Sequence, residues 1–166
     1  KMHAALQLSV MGGRGAEQVL AQRARLRHLS RQLHGAPHFA AVASLVDRSW
    51  GDIAASPITA VLALHRLAAH AKREGVGRAG AAVATRTAQR LAGHAGDPAQ
   101  LSPKAWAQLV WALARLSQPA AVAMAMPATT VSRRAAELAP QNLANVLWAL
   151  AAVRATDGEA VAVLSE

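Results

Sequence analysis

The sequence predicts an all-α fold, and within it an α-solenoid of helical hairpins behind a basic N-terminal helical region. Three observations carry this. Alanine and leucine dominate, with one Phe and no Tyr, and few segments show strand alternation. Leu101-Ser-Pro-Lys-Ala-Trp-Ala-Gln-Leu-Val-Trp-Ala-Leu-Ala-Arg-Leu116 returns 37 residues later as Leu138-Ala-Pro-Gln-Asn-Leu-Ala-Asn-Val-Leu-Trp-Ala-Leu-Ala-Ala-Val153, with seven of sixteen positions identical and no gap. Self-similarity at such a period marks stacked units, none of which can bury its apolar face alone. Both copies also carry apolar residues at helical spacing: Trp106, Leu109, Val110, Leu113 and Leu116, then Leu143, Val146, Leu147, Leu150 and Val153.

Taken in order, residues 1–50 read as the basic region and 51–166 as the repeat region. The chain opens at Lys1 rather than Met, so a removed leader or a longer parent protein is expected. Met11-Gly-Gly-Arg-Gly15 predicts a turn. Glu17 to Leu33 predicts a helix with Val19, Gln22, Leu26, Leu29 and Leu33 on one face. Gly35-Ala-Pro37 breaks it, and His38 to Trp50 predicts another. Repeat helices are expected near 56–73, 101–117 and 138–154. Pro103 and Pro140 suit a first helical turn, and Ser102 is a good N-cap where Ala139 is a poor one. The first helices of the hairpins are placed near Ala82 to Ala92 and Thr129 to Leu138. Glu159 to Leu164 starts a last helix. Gly75-Val-Gly-Arg-Ala-Gly80 matches a dinucleotide fingerprint by letter but has no strand before it, so it reads as a loop.

Pro140-Gln-Asn-Leu-Ala-Asn-Val-Leu-Trp-Ala-Leu-Ala151 resembles the signature of octotricopeptide repeats, the helical-hairpin repeats of green-algal organelles. Leu101–Leu116 keeps the Pro and Trp-Ala-Leu-Ala but lacks both asparagines. Ser56-Pro-Ile-Thr-Ala-Val-Leu-Ala-Leu-His-Arg-Leu-Ala68 resembles a degenerate third copy, with its leucines three residues too close to the Pro and no Trp. The resemblance implies an α-solenoid that binds organellar RNA.

The formal net charge is +9. Residues 1–50 carry seven Lys/Arg against two acids, and residues 101–166 five against four, so the basicity is concentrated at the N-terminus. A basic surface points to polyanions, nucleic acid first. Arg23, Arg27 and Arg31 sit at i, i+4, i+8 and form a candidate phosphate-contacting edge. The same row also reads as a solvated face, or as part of a targeting peptide. Arg86, Arg90, Arg133 and Arg134 lie on the expected first helices, where variable positions would contact RNA. Lys104, Gln108 and Arg115 line the side of the second helix away from its apolar stripe, with Trp111 beside them. Trp111 and Trp148 read as packing residues of the repeat framework, with base stacking as the second reading.

No cysteine is present, and the seven histidines form no zinc-hydrolase spacing. Acids are few and isolated, so no acid/base pair suggests an enzyme. No cofactor or metal is expected. The most apolar stretch, Pro119 to Met126, is too short to cross a membrane. Two good units are short for reading a long message alone. The expectation is therefore a structural component of an organellar ribosome that binds rRNA beside neighbouring ribosomal proteins, in the mitochondrial matrix in preference to the chloroplast stroma. The alternatives are a free factor acting on organellar mRNA and a protein–protein adaptor.

Overall fold

The computed structural model describes residues 2–126, 131 and 134–154, and these hold helices and turns with no strand. The first helix, α1, spans Met2–Gly35, about 50 Å at the usual helical rise. It runs through Met11–Gly15, where glycines predict a turn. Each glycine costs a helix roughly 1 kcal/mol relative to alanine, which weakens it without forbidding it. Gly15 to Ala21 are exposed on every side. Further along, Leu29 and Leu33 are buried and Leu26 is half-buried.

Helix α2 (Phe39–Arg48) starts at His38, whose ring nitrogen accepts from the Ala41 N–H at 3.1 Å. The single helix expected to Trp50 divides at Ser49, which closes α2 and opens the short α3 (Trp50–Ala54). Helix α4 (Pro57–Glu74) is capped by Ser56 and stops at Gly75, whose φ of 57° suits a residue without a side chain. Helix α5 (Arg78–Ala92) follows, then a 3₁₀ turn at Pro98–Gln100 capped by Asp97. Helix α6 (Pro103–Arg115) is capped by Ser102, whose hydroxyl accepts from the Ala105 N–H at 3.3 Å. The apolar stretch after it forms helix α7 (Pro119–Ala125), which buries Val122. Within the expected helix Thr129 to Leu138, the described part includes a 3₁₀ turn at Ala135–Glu137. Helix α8 (Pro140–Arg154) completes the described chain. The helix expected at Glu159 to Leu164 lies outside the described residues.

Helix α6 is the centre of the molecule. It packs most extensively against α8 on one side and α4 on the other, while α5 and α2 pack on α4, and α7 on α6 and α8. Trp106 is fully buried, and its indole N–H donates to the Ala125 carbonyl at 2.8 Å, tying α6 to the end of α7. Leu29, Phe39, Val42 and Val46 from the N-terminal region join the same buried cluster as α4 and α6.

Counted from its proline, the buried positions of α4 match those of α6. Thr59, Ala60, Val61, Ala63, Leu64 and Leu67 are buried in α4, and Ala105, Trp106, Ala107, Leu109, Val110 and Leu113 are buried at the same offsets in α6. Matching the leucines by sequence alone sets this copy three residues out. In the correct register His65 holds the place of Trp111 and Trp148.

The corner between α1 and α2 is held by polar groups of α4. Arg66 donates to the Leu33 and His34 carbonyls at 3.1 and 2.9 Å, and Arg73 to the Pro37 carbonyl at 2.9 Å. The Leu33 and His34 carbonyls are the orphan acceptors that a helix end leaves behind, and Pro37 lies in the link to α2. The Glu74 carboxylate accepts from the Phe39 N–H at 3.0 and 3.2 Å. Burial pushes the Glu74 carboxyl up, but that N–H, the His70 hydrogen bond and the His70 and Arg73 charges outweigh it and hold the group below its ordinary value.

Candidate nucleic-acid interface

The expected cations among the described residues fall into four physical situations. Arg23, Arg27 and Arg31 are exposed on α1, and no carboxylate pairs with them among the described residues. Arg25, to one side, lies 3.6 Å from Asp52. Arg86 and Lys104 are also exposed and without an ion pair. These five are free to meet a polyanion.

Arg90 is already engaged. Its guanidinium lies 3.5 Å from the centroid of the Trp50 ring and donates to Asp47 at 3.2 Å. Trp50 in turn meets His94 edge-on at 4.9 Å. Arg90 therefore fastens α5 to α2 and α3. The cation–π geometry keeps part of it exposed, but its charge is shared.

Arg134 corrects the expectation. It is 6% exposed, donates to the Ala99 carbonyl at 2.6 Å, and sits 5.8 Å from the centroid of Trp106. Its other terminal nitrogen is buried without a partner. A guanidinium placed this way cannot reach a phosphate, because the segment that carries it folds back over α6. Arg133 lies outside the described residues.

Arg115 belongs to a different group. Its guanidinium is 5.5 Å from the centroid of Trp148, which stands 6.4 Å from Trp111. Trp111 is 5.2 Å from His65. Equivalent positions of α4, α6 and α8 thus form an aromatic row across three helices. Burial holds the His65 ring below its ordinary pKa, helped by the nearby charges of Arg66, His34 and Lys104.

Lys72, which sequence reading passed over, lies with Trp111, Arg115, Asn145 and Trp148 around a cavity of about 320 Å³. The proline register of α4 is the signal that could have placed it. Among the described residues no group of His, Asp or Glu side chains could hold a metal ion, and no helix is long and apolar enough to cross a membrane. No protein-family model, curated protein or solved structure matches this chain.

Proposed function

We propose that this chain is a non-catalytic RNA-binding protein built as an α-solenoid of octotricopeptide-like hairpins. In this reading it binds and stabilises rRNA within an organellar ribosome, in the mitochondrial matrix. The observation that carries the proposal is the line of Arg23, Arg27 and Arg31, exposed and without acidic partners among the described residues, on the stretch of α1 whose other face is buried through Leu29 and Leu33. Three guanidinium groups in line present a surface for phosphates, whose contacts supply affinity without reading sequence. The side-by-side packing of α4, α6 and α8, with α5 and α7 against them, supports the repeat reading. The resemblance of Pro140–Ala151, the brevity of the array and the basic arm support the ribosomal role. The exposed apolar edge of Leu143 and Leu147 on α8 favours a protein neighbour within the same particle.

Crosslinking in organelle extract, followed by sequencing of the attached RNA, tests this. Reads concentrated on one rRNA segment are expected. Reads on a single messenger would turn the proposal into a transcript factor, and no RNA above background would leave an adaptor. In vitro, replacing Arg23, Arg27 and Arg31 with Gln should reduce the slope of log affinity against log salt by roughly 2 to 3.

A further inference from the structure

A second polar surface lies in the groove between α4, α6 and α8. The cavity of about 320 Å³ there is adjoined by another of about 390 Å³, and Lys72 and Arg115 line both. Two cations thus stand where two cavities meet. No carboxylate lines either cavity, and neither cation has an ion pair among the described residues.

The aromatic side of the groove is open. Trp148 is 40% exposed although its repeat mate Trp111 is half-buried. Arg115 stands beside its ring. The Asn145 oxygen accepts from the Gln141 amide at 3.3 Å, which leaves the Asn145 NH₂ free to donate. A partly exposed indole, an amide beside it and two cations without ion pairs among the described residues are the parts of a site for an unstacked nucleotide. An acidic peptide would use the cations but would have no use for the exposed part of the ring. A duplex, whose bases are already stacked, could not enter.

We infer that this groove takes one unstacked nucleotide of a single-stranded RNA segment. The base stacks on Trp148 with Asn145 at its edge. Lys72 and Arg115 hold the adjoining phosphates, and the second cavity carries the strand onward over the end of α6. The inference rests on the RNA-binding reading above but assigns different residues to a different task. The α1 arginines hold any RNA backbone, and the groove selects single strands.

The test uses fluorescence anisotropy of the full chain with a labelled short oligouridine and a labelled blunt RNA duplex. Trp148→Leu, at an exposed position, should weaken oligouridine binding roughly tenfold by removing one stacking partner and leave duplex binding unchanged. Lys72→Gln with Arg115→Gln should weaken oligouridine more than duplex. Replacing the three α1 arginines with Gln should weaken both ligands alike. Wild-type oligouridine affinity in Trp148→Leu, with RNA binding otherwise intact, would overturn the groove and leave the RNA reading standing. Preference of the groove for labelled polyglutamate, lost in the Lys72/Arg115 variant, would make it a peptide site. Failure of the wild-type chain to bind either RNA would remove both proposals.

Discussion

Helices α6 and α8 are close copies with opposite surroundings. Trp106 and Val110 are fully buried in α6, while their equivalents Leu143 and Leu147 are 36% and 56% exposed in α8. The shared alanines divide: Ala112 and Ala149 are both fully buried, whereas Ala107 is buried and its equivalent Ala144 exposed. The helix stripe is the same object twice. What differs is how much of it the described neighbours cover. A stripe removed from water contributes more to stability than one left exposed.

The largest expected effect exploits this contrast. Trp106→Ala should lower unfolding free energy by about 3–5 kcal/mol, since it opens a cavity and leaves the Ala125 carbonyl without its indole donor. Leu143→Ala, at the equivalent position, should cost no more than about 1 kcal/mol. Urea denaturation of both variants measures the difference. Equal losses would mean that the edge face is covered.

Next come the helix starts. Ser102 caps α6, whereas Ala139 opens α8 with its carbonyl alone, accepting from the Asn142 and Leu143 N–H groups. Ser102→Ala should cost about 1 kcal/mol, and Ala139→Ser should recover a similar amount for α8. Thermal melts of the two variants should move in opposite directions.

A surface change on α8 should do less. Leu147→Lys should shift stability by no more than about 0.5 kcal/mol, yet, if the proposed ribosomal role holds and that edge meets a ribosomal protein, reduce co-sedimentation with ribosomes. A change in folding without a change in association would reverse that assignment.

The smallest effect separates α4 from α8 by pH. His65, in the Trp place of α4, titrates below its ordinary value of 6.5. As pH falls, the unfolded chain takes that proton first. The stabilisation is therefore complete above pH 6.5 and is lost as pH falls through the lower folded value. Glu74, also held low, adds a second loss below its ordinary 4.5. His65→Asn should remove the first limb of a stability–pH curve and leave the second.

Much of the fold was legible locally. Proline at the first turn, serine before it and glycine at Gly75 mark helix ends by backbone chemistry that needs no distant partner. The apolar spacing of α6 predicts its buried face, and all of Trp106, Leu109, Val110, Leu113 and Leu116 are inside. The identical spacing of α8 predicts the same face, yet only Val146 of its stripe is fully inside. Periodicity states which face is apolar, not whether another element arrives to cover it. The α4 register was missed because leucine matching follows letters, whereas the buried offsets follow the proline.

The candidate site divides in the same way. Arg23, Arg27 and Arg31 share a face because of helical spacing, and α1 presents them to solvent. Arg90 and Arg134 look equally available in the sequence. One stacks on Trp50 and the other is buried against Trp106 and the Ala99 carbonyl. Those partners lie 35 or more residues away along the chain for the hydrogen bonds concerned, beyond any local pattern.

By itself the sequence determined an all-helical chain, the proline-marked starts of α4, α6 and α8, the apolar stripes and the basic end of the chain. All of these follow from interactions within a few residues. Tertiary structure alone decided which stripe is interior, which arginines are spent on packing, and that Lys72, Arg115 and Trp148 share one groove. Each of these depends on surfaces meeting across the chain, where burial and pairing are set by the neighbour as much as by the residue.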